Sequence, residues 1–330
     1  MRRYDKMCTA VTYNTDCGNY FGRTLDYEFS YGEEIVIMPR NFKIKLGGRE
    51  YKSHYAIIGM AHTADGYPLF YDALNEKGLA MAGLNFVGNA VYNKTVENRE
   101  NVAQYEFIPR ILAACSTVNE AVDTIKNINI TDEAFSDSLP AASLHWMIAD
   151  KDSAVTVEAT KDGVKIYDNR VGVMTNNPPF DVQMRRLCDY MHLSPKQPQN
   201  NFSKDIDLEC YSRGMGALGL PGDYSSGSRF VRAAFVRANS ADCDNESAAV
   251  SQFFHILGSV EQVKGCCDVG GGKFEYTIYT SCADMGRGIY YYTTYGCRRI
   301  TAVDMHAENL DSDGLIAYPL ISDERIFRQN

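Results

Sequence analysis

No stretch of this 330-residue chain approaches the roughly 18 uninterrupted apolar residues that a membrane-spanning helix needs, so no membrane partner is expected. A signal-type apolar segment is missing too, because residues 1–7 carry charge and lead into no hydrophobic run. A cytoplasmic protein is the expectation. Positive charge is also scarce: 33 Lys and Arg stand against 42 Asp and Glu, for a net charge of −9. No basic run exceeds a pair, which excludes the footprint a nucleic-acid backbone requires. Paired metal-ligand hooks are absent as well. The ten cysteines include no CxxC and no Cys/His cluster, so no metal site is expected. Without a secretory route they read as reduced thiols, most of them small buried hydrophobes.

What is present is an ordinary globular composition, 45% hydrophobic and 23% charged. The length allows one large core or two modest ones. No repeat, low-complexity tract or composition break divides it, and one domain is expected over residues 8–330. Thr9, Val11 and Tyr13 alternate with smaller or polar neighbours, residues 14–18 form a turn, and 19–25 return. This pattern predicts a hairpin with Cys8 at the start of its first strand. Residues 34–38, 55–61 and 69–86 continue the β pattern, the last broken at Asn75-Glu76-Lys77-Gly78. Helices are predicted over 102–114 and 118–127, the second with Thr117 as N-cap and Glu120 three residues on. Strands resume over 144–149, 154–159, 164–167 and 171–175, followed by helices over 180–191, 229–238 and 246–260. Tyrosine-rich strands over 276–281, 288–295 and 300–305 close the chain. Strand blocks and helix pairs thus alternate as groups, which favours an α+β arrangement of antiparallel sheets covered by helices over a doubly wound parallel fold.

Three features invite a chemical reading. Gly270-Gly271-Gly272-Lys273 lacks the register and the following Ser or Thr of a phosphate loop, and reads as a flexible turn. His145, beside Trp146 on an apolar strand, reads as a structural histidine. Cys8 is different. Removal of residues 1–7 would give it a free α-amine with a pKa of about 7.7–8.0, well placed for general-base work near neutral pH. One residue would then supply both nucleophile and base. Arg23 and Asp26 lie on the return strand of the same hairpin. A cation beside the thiol favours thiolate, and a carboxylate can orient the amine; the bland alternative is a surface ion pair.

A set of short motifs along the chain matches a known family in order and spacing. They are Met7-Cys8-Thr9, Phe21-Gly22-Arg23 with Asp26, Pro39-Arg40-Asn41-Phe42, Asn75-Glu76-Lys77-Gly78-Leu79 and Gly83-Leu84-Asn85-Phe86. Leu144-His145-Trp146, Thr175-Asn176, and Leu220-Pro221-Gly222-Asp223 running to Ser228-Arg229-Phe230 extend the match, which spans Cys8 to about Leu310. The resemblance is to the choloylglycine hydrolase family, and it implies an N-terminal-nucleophile hydrolase with a four-layer αββα sandwich. By position it makes Cys8 the nucleophile, supported by Arg23 and Asp26, with Asn85, Asn176 and Arg229 completing the site. Asn176 and Asn85 amides would act as oxyanion donors, and Arg229 would add positive charge as a tetrahedral intermediate forms.

The same resemblance implies that conjugated bile salts are the substrate, that neither a metal nor an organic cofactor takes part, and that four copies of the chain assemble. Leu25, Ala64, Phe135, Leu139 and Leu144 match positions lining a steroid pocket, Ala64 standing where relatives can have Phe. Asn85 matches bile salt hydrolases, whereas many penicillin V acylases carry Tyr there. Ser212-Arg213-Gly214 resembles the form of a selectivity loop associated with taurine conjugates, in which Arg213 would face the sulfonate and Ser212 add a hydroxyl. One departure stands out. Family members commonly begin Met-Cys, whereas residues 1–6 precede Met7 here, so residues 1–7 are expected to be a leader or propeptide absent from the active protein. Two alternatives remain: a penicillin V acylase, and a catalytically silent bile-acid-binding protein that keeps its leader.

Overall fold

A computed structural model describes residues 7–330; residues 1–6 of the expected leader lie outside the described residues. Met7–Thr15 and Gly18–Tyr27 form the expected hairpin, and every strand pairing in the two large sheets is antiparallel. The hairpin occupies the middle of a six-stranded sheet, flanked by Val173–Met174 on one side and by Tyr276–Asp284, Ile289–Thr294 and Cys297–Asp304 on the other. The second sheet has eight strands, ordered Gly163–Asp168, Ala154–Thr160, Leu144–Ala149, Ala80–Asn85, Tyr67–Asn75, Ile57–Ala64, Glu34–Met38 and Ile316–Pro319.

Three cores stack these layers. Helices Phe107–Leu112 and Val118–Ile125 pack through Phe107, Ile111 and Ile125 on Trp146, Met81 and Val157 of the eight-stranded sheet. Between the sheets lie Cys8, Ala10, Phe21, Leu25, Ile58, Leu84 and Met147. On the far face of the six-stranded sheet, Val11, Tyr13 and Tyr20 meet Phe230, Ala234, Phe253 and Leu257 of helices Ser226–Asn239 and Glu246–Gly258. The order is αββα. Alternation along the first strand explains its composition: small Cys8 and Ala10 face the opposing sheet, while larger Val11 and Tyr13 face the helices.

Gly22 shows how closely the backbones approach. A Cβ at that position would lie 2.0 Å from the carbonyl oxygen of Ser281 on the neighbouring strand, so only glycine fits. The Asn75-to-Leu79 motif also serves the fold. Asn75 Oδ1 accepts from Lys77 N and Leu79 N at 3.0 Å, while its Nδ2 donates to Leu112 O and Cys115 O at 2.8 and 2.7 Å. Arg40 bridges Glu76 at 2.6 Å and Asp311 at 2.8 Å.

Several boundaries differ from the sequence reading. The helix expected from residue 102 starts at Phe107, because Glu100–Ala103 pairs in parallel with Ile128–Thr131. That later start puts Pro109 in the first turn, where its missing N–H breaks no helical bond. The helix from Phe180 ends at Leu187 and gives way to a short 3-10 turn over Cys188–Tyr190. Ile316–Pro319 was not expected, since its partner Glu34–Met38 is remote in sequence. Thr117 caps its helix as expected, accepting from Glu120 N at 3.2 Å, and residues 270–272 turn with positive φ throughout. All ten cysteines are free, but only Cys8, Cys115, Cys282 and Cys297 are buried, fewer than their composition suggested.

Phe253 is fully buried between its helix and the six-stranded sheet. Phe253→Ala is expected to cost about 3–5 kcal/mol, read as a lower denaturation midpoint in urea with an unchanged slope.

Candidate active site

The hairpin register places Cys8 opposite Leu25, Ala10 opposite Arg23 and Met7 opposite Asp26. Side chains directly opposite share a face, so Cys8, Leu25 and Arg23 all point between the sheets. Arg23 Nη2 donates to Cys8 Sγ at 2.6 Å, while Nη1 is anchored on Gly83 O at 2.6 Å and on Tyr71 O at 3.3 Å. The guanidinium therefore reaches the thiol from a fixed perch on the opposite sheet.

Asp26 points the other way, toward the helices. The sequence reading set both charged residues beside the thiol, but a spacing of three along a strand sends them to opposite faces. Asp26 Oδ1 accepts from Thr277 Oγ1 at 2.6 Å, and Oδ2 from Thr24 Oγ1 at 3.2 Å and Gln262 Nε2 at 3.3 Å. Its influence on Cys8 is electrostatic, with a backbone N–H bond of Asp26 to the thiol in addition.

Asn176 follows the short strand Val173–Met174 and precedes a cis Asn177-Pro178 bond. Its Oδ1 accepts from Cys8 N at 2.8 Å and from Arg229 Nη2 at 2.8 Å, and its Nδ2 donates to the Asn85 carbonyl at 2.8 Å. Cys8 N is here a peptide nitrogen, standing in for the α-amine of a chain that begins at Cys8. Arg229, from the helix that starts at Ser226, donates to Cys8 O at 2.5 Å, Thr9 Oγ1 at 2.6 Å and Tyr224 O at 3.0 Å. Its donors hold the backbone of the nucleophile. Among the described residues Asn176 Nδ2 makes only the Asn85 bond, which leaves one N–H as a candidate oxyanion donor.

The remaining candidates divide into two groups. Asn85 pairs with Leu144 across the eight-stranded sheet, and Ala64 with Tyr67, at the same end by register. Phe135 packs against Tyr67 in a tilted pair with ring centroids 5.6 Å apart, bringing the loop that carries Leu139 to that end. These residues are half-buried; Leu144 and Tyr67 pack against the core beneath helices Phe107–Leu112 and Val118–Ile125, whereas Leu25 is buried in the core between the sheets. Ser212 and Arg213 sit instead in an exposed loop, where Ser212 O accepts from Gln197 Nε2 at 2.6 Å. No contact joins them to Cys8 among the described residues. No group of three or more metal-ligating side chains is found among the described residues, and no helix there is long and apolar enough to cross a membrane.

Residues 8–318 match the linear amide C–N hydrolases of the choloylglycine hydrolase family. The chain is 52% identical over 325 residues to a bile salt hydrolase/transferase of Lactiplantibacillus plantarum, covering 98% of this chain and 100% of that one. A bile salt hydrolase/transferase of Clostridium perfringens is 40% identical, covering 94% and 96%. The chain belongs to the choloylglycine hydrolase family. It is a linear amide C–N hydrolase. A solved conjugated bile acid hydrolase from Clostridium perfringens superposes with a TM-score of 0.91 at 38% identity, over 98% of this chain and 100% of that one. Penicillin V acylase from Agrobacterium tumefaciens shares the fold at a TM-score of 0.77 and 20% identity, over 96% and 92%.

For a choloylglycine hydrolase the electrostatics around Cys8 are informative. Burial pushes the thiol up from its ordinary value, and the Arg23 charge opposes that without overcoming it. Arg229 is lowered by burial, with Asp26 and Cys8 opposing, and burial likewise raises Asp26 against the pull of Arg229. Arg23 favours the thiolate, as the sequence suggested, but desolvation outweighs it while residue 7 is attached. Burial wins.

Some supporting residues escaped the sequence reading. Asp72 accepts from Tyr279 and Ser281 hydroxyls at 2.7 and 2.9 Å and stabilises the Arg23 charge. Glu275 accepts from Met7 N at 2.5 Å. Both are lone carboxylates inside β patterns, and only the fold shows what they face. His145, read as structural, contacts the Thr175 carbonyl through Nε2 at 2.7 Å and Glu158 Oε1 through Nδ1 at 3.2 Å, and stacks on Phe86. It fixes the segment that presents Asn176.

With its pKa raised, Cys8 holds less thiolate at neutral pH than a free cysteine. In protein that keeps residue 7, iodoacetamide at pH 7.5 is expected to label exposed Cys188, Cys210 and Cys266 before Cys8. Peptide mass spectrometry over time reads the order.

Proposed function

We propose that this hydrolase cleaves the amide joining a bile acid to glycine or taurine, with Cys8 exposed as the first residue. The observation that carries the mechanism is that Arg23 holds the Cys8 thiol, Asn176 its nitrogen and Arg229 its carbonyl. A residue fixed at three points suits a nucleophile that must meet a carbonyl at one angle. The relatives' names support the substrate class. In this reading the α-amine takes the thiol proton, sulfur adds to the amide carbonyl, and the C–N bond breaks as the amine leaves with that proton. Water then hydrolyses the thioester. The second N–H of Asn176 Nδ2 bonds the developing oxyanion in this reading.

Residues 1–7 act in this reading as a leader, and residues 8–330 as one catalytic domain. Ala64, Phe135, Leu139 and Leu144, with Leu25, receive the steroid, and neither metal nor organic cofactor is required. A cytoplasmic homotetramer is part of the proposal; the exposed apolar side chains of Met191, Phe202 and Tyr211 give copies of the chain a surface to bury. Asn85 favours bile salts over penicillin V. Ser212 and Arg213 favour taurine conjugates, with the guanidinium presenting paired donors to a sulfonate.

Three outcomes test this reading. Cys8→Ala should abolish hydrolysis of glycocholate and taurocholate with the circular dichroism spectrum unchanged; most of the activity surviving would remove the nucleophile assignment. Side-by-side assays should give a higher kcat/KM for conjugated bile salts than for penicillin V, and the reverse ranking would make the protein a penicillin acylase. Arg213→Gly should lower the taurocholate-to-glycocholate ratio of kcat/KM about tenfold, the worth of a charge-assisted contact. Equal losses would show that the loop arginine does not read the sulfonate.

A further inference from the structure

Glu275 is a buried carboxyl that the proposed reaction leaves without a task. It is 3% exposed and precedes the strand Tyr276–Asp284, beside the hairpin that carries Cys8. Its carboxyl makes one hydrogen bond among the described residues, accepting at 2.5 Å from the backbone N–H of Met7. Burial, with Asp26 and Glu28 acting the same way, pushes its pKa up to about 8; the Met7 N–H and the Arg229 charge oppose that rise. Cys267 also lies within its electrostatic reach.

Removing residue 7 deletes this single donor. A buried carboxyl without a partner is costly, so the mature chain must offer it something else. The group created by the removal is the α-ammonium of Cys8. Three bonds separate the two backbone nitrogens, about 3.5 Å in an extended chain, so the new cation forms next to the position the Met7 N–H leaves. One of its three N–H groups is already directed at Asn176 Oδ1, 2.8 Å from Cys8 N. Two remain for Glu275. The other charges around that nitrogen are Arg229, which donates to Cys8 O, Arg23, which donates to Cys8 Sγ, and Asp26 on the facing strand.

We propose that Glu275 is a positioning residue for the mature nucleophile, pairing with the α-amine of Cys8 and setting the pH at which that amine becomes a base. This rests on the reading that Cys8 is the first residue of the active chain. A carboxylate beside an amine favours its charged form, so Glu275 raises the amine's pKa and delays its release as a base to higher pH. Neutralising Glu275 moves that release to lower pH.

The test uses protein beginning at residue 8, made from a coding sequence that opens at Met7, with the start verified by intact mass. Carbamylation of the α-amine by cyanate is followed against pH in a Cys8→Ser background, so the measurement needs no catalysis. Glu275→Gln is expected to lower the midpoint by about one pH unit, a tenfold loss of proton affinity, while Glu275→Asp stays nearer the parent. Glu275→Ala provides a second neutral variant should Gln fail to fold, judged by thermal melting. With Cys8 restored, the acid limb of kcat/KM for glycocholate should move the same way. Identical carbamylation midpoints in the parent and the neutral variants overturn the proposal. A midpoint that moves while the hydrolysis limb stays put supports the Glu275 pairing and rejects the amine as base, which keeps the two ideas separable.

Discussion

The Asn176 side-chain oxygen accepts two hydrogen bonds at 2.8 Å, one from the nitrogen of Cys8 and one from Arg229. That shared acceptor ties together the first strand, the segment before the cis-proline and the third core's longest helix. Arg229 then returns to the other end of the same residue, through Cys8 O. The Cys8 backbone is thus closed into a ring of polar contacts within a buried layer. Such contacts exceed their surface counterparts in strength because no water competes. They also tolerate little displacement, since any broken member leaves a buried donor or acceptor unmet.

Around that ring the molecule buries several charges of both signs. Arg23 and Arg229 are 1% and 0% exposed, Asp26 and Asp72 0% and 1%. Two cations therefore face two anions, and Cys8 and Glu275 lie between them. Desolvation is what keeps the thiol protonated there, with Arg23 and Arg229 opposing it and Asp26 adding to it while residue 7 is attached. An α-ammonium at Cys8 supplies a positive charge at the sulfur's own residue. On this view, exposure of the N-terminus does two things together: it provides a base and balances the nucleophile's charge.

The sandwich determines which side of the nucleophile faces what. Alternation sends the thiol and Arg23 into the space between the sheets and Asp26 toward the helices. Ala64, Phe135 and Leu144 belong to the eight-stranded sheet and its loops, whereas Cys8 belongs to the six-stranded one. In the proposed reading, substrate binding and chemistry are therefore contributed by opposite layers. The Gly22 contact, where a Cβ would lie 2.0 Å from Ser281 O, and the Gly83 carbonyl that fixes Arg23 are where the backbone itself shapes the site.

Local pattern in the sequence determined the hairpin that begins at Cys8, the Asn75-to-Leu79 turn, the Thr117 cap and the grouping of strands and helices that makes an antiparallel sandwich. Each depends on periodicity or on turn and cap chemistry within about ten residues, which a linear reading captures. Motif order determined the family and pointed to Cys8, Arg23, Asp26, Asn85, Asn176 and Arg229 as a candidate site. Tertiary structure alone decided their geometry: that Thr277 and Gln262 hold Asp26, that Arg229 holds the Cys8 backbone, and that burial overrides a neighbouring cation at the thiol. It alone also revealed Asp72 and Glu275, and the terminal strand paired with Glu34–Met38. These contacts join residues 49 to 285 apart in the chain, from Asp72 with Arg23 to Pro319 with Glu34. Only layer packing brings them together, and desolvation, which sets the charges, does not exist until the layers close.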